Sequence, residues 1–136
     1  MTPSTPTPTS RRPAGPTWLP LVVDLAAVLA FVVIGRRSHA EGVDLPGLLG
    51  TLWPFVLGAV VGWASVTGVR WSLASVRAGA VVWVSTVVVG MLLRIVAGQG
   101  VQPSFVIVTI IVLGVFVVGW RAVAALVRRR ASGPRT

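Results

Sequence analysis

Residues 18–35 read WLPLVVDLAAVLAFVVIG. A single charge, Asp24, interrupts a run that is otherwise apolar and about 25 Å long as a helix. That length crosses a hydrocarbon core when the helix stands fairly upright. Pro20 suits a first helical turn, where its missing N–H removes no bond, and Trp18 suits the interfacial belt. Three further apolar stretches follow, at about 45–66, 79–98 and 104–126. The expected fold is therefore an all-α integral membrane protein, with four transmembrane helices in a small bundle.

Composition agrees. The chain is 54% hydrophobic, and 11% of its 136 residues are charged, against about a quarter in a soluble domain. Its mean hydropathy is +0.88. Too little polar surface is present to coat a water-facing globule. All twelve basic residues are arginine, against the three acids Asp24, Glu41 and Asp44. Such usage, with abundant Ala, Val, Gly and Pro, suggests a high-GC bacterial genome. A charge of +9 in a soluble protein would suggest nucleic acid. Here the arginines sit at segment ends, where orientation signals lie, and no nucleic-acid-reading motif accompanies them. Zero cysteines exclude disulfides and thiolate metal sites.

Residues 1–17 are rich in Pro, Thr and Ser and are expected to form a disordered tail; 127–136 are expected to form a basic tail. Ser10-Arg11-Arg12 faintly matches a twin-arginine signal, and Ser38-His39-Ala40 has the small residues of a cleavage site. Asp24, Arg36 and Arg37 argue instead for an uncleaved first helix. With an even number of crossings both termini share a side with the link between segments two and three. That side carries nine arginines (11, 12, 70, 77, 121, 128, 129, 130 and 135), and the other carries three (36, 37 and 94). Charge bias places the nine, and both termini, in the cytoplasm of a cell membrane, and argues against dual topology.

Inside segment two, Pro54 frees the carbonyl of Gly50 and predicts a kink, tolerated where a neighbour or water covers that oxygen. Gly58 and Gly62 form a small-xxx-small pair that permits close helix approach. The link 67–78 places Val69, Leu73 and Val76 on one stripe with Arg70 and Arg77 beyond it. That suits a short amphipathic helix on the membrane surface, or else an ordinary basic loop. Gly98-Gln99-Gly100 ends segment three, and Pro103 opens segment four.

Asp24 lies about 9 Å along segment one. In lipid it needs a partner, a wet cavity or a proton. Arg121, at similar depth in the last segment, is the natural partner, with Arg70 or Arg77 as substitutes. The plain reading of an Asp24–Arg121 pair is structural: it fixes helix register. The functional reading is a proton or ion relay in an oligomeric transporter or channel, with Pro54 as a gate joint. A relay needs a polar path, and only Ser65, Thr67, Ser85, Thr86 and Thr109 remain to build one; such hydroxyls often bond their own helix. At the other end Arg36, Arg37, His39, Glu41, Asp44 and Arg94 form a polar cluster, in which Arg94 is expected to meet Glu41 or Asp44. A metal site from His39, Glu41 and Asp44 is the weaker reading of solvated loop residues. No phosphate loop, nucleophile elbow or metalloprotease His pair occurs, so no catalytic residue, cofactor or enzymatic activity is expected. The six tryptophans read as membrane anchors and packing residues. Expected partners are the bilayer, a second copy or another membrane protein.

Asp24, GRRSHAEG at 35–42, WPFVLGAVVGW at 53–63, VVWVSTVVVGMLLR at 81–94, GQG at 98–100, SFV at 104–106 and LGVFVVGWR at 113–121 together resemble the domain-of-unknown-function family 3054. These are small, mostly actinobacterial membrane proteins. The resemblance covers about 18–126 and departs at Val101-Gln102-Pro103, where small residues are the family's habit. It implies four transmembrane helices in a bacterial cell membrane and assigns no activity. It marks Asp24, Arg36, Arg37, His39, Glu41, Arg94 and Arg121 as motif positions.

Overall fold

A computed structural model describes residues 15–38 and 42–133. Four helical spans, each long and apolar enough to cross a membrane, make up nearly all of them: Leu19–Ser38, Leu45–Gly68, Val76–Val96 and Pro103–Ala131. The first three are α1, α2 and α3. The last is built of α4 (Pro103–Leu113), a π-helical turn (Gly114–Val118) and α5 (Gly119–Ala131). No strand occurs among the described residues.

Each span turns one stripe inward. In α1 the stripe is Asp24, Val28, Phe31 and Val32, spaced as one helical face requires. Large apolar residues point outward from every span, among them Leu29, Val61, Val88 and Ile111. A water-soluble monomer does not carry apolar surface on all sides; a bundle solvated by lipid does.

The helix ends follow from local chemistry. Asp44 caps α2 by accepting from the Gly47 amide at 3.1 Å, and Ser75 caps α3 by accepting from the Ala78 amide at 3.1 Å. Both α2 and α3 stop in the same hydrogen-bonded motif. At the end of α2, Trp71 N–H donates to the Val66 carbonyl and Arg70 N–H to that of Thr67. At the end of α3, Gln99 N–H donates to Arg94 and Gly98 N–H to Ile95. The motif needs one left-handed residue. Gly98 fills it at φ 69, whereas after α2 the position is held by Arg70 at φ 58, which costs on the order of 1 kcal/mol.

Three boundaries differ from the sequence reading. First, α1 continues past Gly35 through Arg36, Arg37 and Ser38, because arginine is a good helix former and favours the negative end of the helix. Second, α5 carries Arg128, Arg129 and Arg130 in its last turn for the same reason, so the start of the expected basic tail is helical. Third, the link after α2 holds no surface helix. The left-handed turn at Arg70 and the cap at Ser75 leave only an irregular segment, and Val76 and Arg77 already belong to α3. The stretches 1–14 and 134–136 of the two expected tails lie outside the described residues.

In the middle of the bundle α2 and α3 make their closest approach at Gly58 and Gly62. A Cβ on Gly58 would stand 2.8 Å from the Thr86 backbone, and one on Gly62 2.8 Å from Val82 Cα. The Ser85 hydroxyl donates across this contact to the Gly58 carbonyl at 2.8 Å. The small-residue face is therefore spent inside the chain. Beside it Phe31, Phe55 and Phe105 meet with ring centroids 5.3–6.2 Å apart, joining α1, α2 and α4. Backbone sits on the far side of the glycine contact, so neither helix can yield locally. Gly58→Ala and Gly62→Ala should each cost about 1–3 kcal/mol by overpacking, read as unfolding in mixed detergent micelles. Gly35→Ala, inside α1 and meeting nothing within 4 Å, should not lower the midpoint and gains up to about 1 kcal/mol of helix propensity.

Candidate functional site

At the end of the bundle that carries the termini, Asp24 and Arg121 meet in the interior, both with no exposed surface. The contact is bidentate: Arg121 Nη1 donates to Asp24 Oδ1 at 2.6 Å and Nη2 to Oδ2 at 2.7 Å. Two indoles complete the carboxylate. Trp63 Nε1 of α2 donates to Oδ2 and Trp120 Nε1 of α5 to Oδ1, each at 3.0 Å. A carboxylate offers about four acceptor positions, and all are taken. The guanidinium uses four of its five N–H groups: besides the two on Asp24, Nε donates to the Leu73 carbonyl at 2.9 Å, and Nη1 also to the Val117 carbonyl at 2.8 Å. Its Cζ lies 4.4 Å from the Trp120 ring centroid, within range of a cation–π contact.

Every span contributes. Gly79 of α3 makes the room, since a Cβ there would stand 2.6 Å from Arg121 Cδ. The last span places its inward residues Thr109, Leu113, Val117 and Arg121 four apart. In a regular α-helix each such step overshoots a turn by about 40°. The π turn accommodates one extra residue and returns Arg121 to the inner face. Leu73, expected on a lipid-surface stripe, instead brings its carbonyl to Arg121. Trp63 and Trp120 have the sequence signature of anchors and packing residues, yet the structure makes both donors to Asp24. The available signal was that a lone acid has more acceptor positions than one arginine fills, with Trp120 adjacent to Arg121 in sequence. Arg70 and Arg77, the substitute partners, do not reach Asp24: Arg70 lies in the link, and Arg77 lies 6.0 Å from the Trp71 ring centroid.

At the far end Arg36 gathers the link between α1 and α2. It donates to the Gly42 carbonyl at 2.7 and 3.1 Å, to Thr51 Oγ1 at 3.3 Å and to Asp44 Oδ1 at 3.2 Å. The Asp44 carboxyl lies below its ordinary value, chiefly through the Gly47 amide, with Arg36 adding to the effect. Asp44 thus goes to Arg36 and not to Arg94. Arg94 instead braces the turn after α3, donating to Gln99 Oε1 at 3.0 Å and covering the Phe105 ring at 4.5 Å. Arg37 is exposed. His39 and Glu41, and with them the candidate metal trio and a Glu41–Arg94 pair, lie outside the described residues. Gln99 also answers the question raised by Pro54: its Nε2 donates at 3.0 Å to the Gly50 carbonyl that the proline leaves free. A cavity of about 80 Å³ lies between Arg36, Thr51, Arg94 and Phe105.

A bundle of four apolar spans, solvated by lipid and closed by a buried ion pair, is a multi-pass membrane protein. The chain belongs to the family described as protein of unknown function DUF3054, whose model matches residues 21–124. Neither a curated protein nor a solved structure gave a match.

Two double-variant cycles test this geometry. Arg121→Met alone strands a buried carboxylate and should cost about 3–5 kcal/mol. Asp24→Leu with Arg121→Met should cost far less than the sum of the single changes, in mixed-micelle unfolding. At the far end Gln99→Ala should cost about 1–3 kcal/mol by leaving the Gly50 carbonyl bare. In a Pro54→Ala background the restored N–H takes over that carbonyl, and most of the Gln99→Ala cost should vanish.

Proposed function

We propose that this chain is a non-enzymatic structural or interaction module of the bacterial cytoplasmic membrane, with both termini in the cytoplasm. The observation that carries the reading is the closed coordination of Asp24. A carboxylate that accepts from Arg121, Trp63 and Trp120 at once has no position left for a passing ion, and protonating it would strand Arg121 in the interior. The remaining hydroxyls favour the same reading. Ser65, Thr67, Thr86 and Thr109 bond to carbonyls of their own helices, and Ser85 bonds to Gly58; none extends a chain from Asp24. The Gly58–Gly62 face is used internally, so a second copy or another membrane protein would meet a lipid-facing side. The arginine bias supports the orientation.

Reconstituted into proteoliposomes, the protein should conduct neither protons nor small ions. A flux that Asp24→Asn abolishes would overturn the structural reading in favour of an oligomeric transporter or channel. In intact cells a membrane-impermeant thiol reagent should label Ala40→Cys and spare Ser72→Cys and Ser132→Cys. The reverse pattern would invert the orientation while leaving the bundle intact.

A further inference from the structure

We infer that the crevice at the terminal end of the bundle seats the headgroup of an anionic phospholipid, with Arg70 and Arg128 as its cations. This goes beyond the structural role proposed above and rests on different residues. The crevice measures about 770 Å³ and is walled largely by apolar side chains, including Trp71, Leu73, Trp120 and Ala124, with both arginines in its lining. Such a volume is that of a small-molecule site. Apolar walls with cations among them suit an amphiphile. A free aqueous anion gains nothing from the walls, and a zwitterionic lipid offers the arginines a phosphate but no net charge.

The chain's own acids leave these two arginines open to an anion from outside. Of the three acids in the sequence, Asp24 is enclosed by Arg121 and the two indoles. Asp44 pairs with Arg36 at the far end, and Glu41 lies three residues before Asp44 in the chain. No carboxylate among the described residues neutralises Arg70 or Arg128. A second feature singles out Arg70. It holds the left-handed position that ends α2, where glycine is the unstrained choice and where Gly98 stands at the matching end of α3. An arginine at that turn sets its side chain in the lining of the crevice, which Arg128 shares. Depth agrees as well. The crevice is lined by Thr17 and Leu19, where α1 begins, and by Arg128 in the last turn of α5, so it lies where the spans emerge, at headgroup level.

The absence of native cysteine allows a direct test on the full chain. A diazirine carried on Ala124→Cys, within the crevice, is photolysed in vesicles of one part phosphatidylglycerol to three parts phosphatidylcholine, and the adducts are weighed by mass spectrometry. Phosphatidylglycerol should be enriched about fivefold or more over its share of the bilayer. Arg70→Gln with Arg128→Gln should return the adducts to the bulk ratio. Arg129→Gln with Arg130→Gln, which removes equal charge from exposed residues outside the crevice, should preserve the enrichment. Adducts at the bulk ratio in the unaltered background overturn the inference. So does an equal loss in the two arginine pairs, which marks diffuse surface attraction. Cross-linking to residues 1–14 or to a second copy also overturns it, naming the true occupant.

Discussion

The buried ion pair between Asp24 and Arg121 is the constraint to which the rest of this bundle is fitted. Removing two charges from water costs several kcal/mol per ion, and mutual attraction repays it only when geometry is close and the remaining donors and acceptors are used. Nearly every irregularity at that end serves this condition. The π turn rotates Arg121 inward and supplies the Val117 carbonyl. The irregular link after α2 brings up the Leu73 carbonyl, and Gly79 clears space for the arginine stem. Trp63 and Trp120 close the carboxylate from two other directions. The pair joins the first span to the last across 97 residues, and its ligands lock α2, the link and the last span to both.

Lipid sets the second constraint. Helices surrounded by hydrocarbon gain little from hiding apolar surface, so close packing and internal hydrogen bonds must hold them together. The glycine contact between α2 and α3 answers the first need, and the three phenylalanines fill the space that α1, α2 and α4 leave beside it. Gln99 answers the second. Pro54 leaves the Gly50 carbonyl without its helical N–H, and a side chain from the turn after α3 supplies the missing donor. The proline in one helix and the glutamine in a distant turn thus form a single unit.

Much of the architecture was legible because it depends on length and composition. Apolar runs of membrane length, separated by Gly, Pro and Arg, mark the spans without reference to any contact. The pairing of Asp24 with Arg121 followed from depth alone, since a lone acid in a span has few arginines at its level. What could not be read depends on rotation about a helix axis. The indole donors fall in that group, because Trp63 and Trp120 carry the same signature as interfacial anchors. So does the π turn: Gly114–Val118 looks like any β-branched run, and only the four-residue spacing of Thr109, Leu113, Val117 and Arg121 hints at an extra residue. The link after α2 left two readings open for a related reason, and the structure takes the irregular loop. Its apolar stripe fits a surface helix, but a left-handed Arg70 breaks the helix, and Leu73 turns to serve the guanidinium.

Why such a bundle carries an ion pair at all follows from what apolar faces cannot do. A methyl-lined helix rotated or slid by one residue presents nearly the same surface to its neighbours and to lipid. The glycine contact fixes α2 against α3, but residues such as Val28, Val32 and Val117 would pack tolerably in several registers. A carboxylate that must find one guanidinium and two indoles admits a single arrangement, since any slip strands a charge in hydrocarbon. On the structural role proposed above, the pair matters less for the energy it adds to the native state than for the energy it adds to every alternative. Buried polar groups fix register in the same way where otherwise interchangeable helices meet.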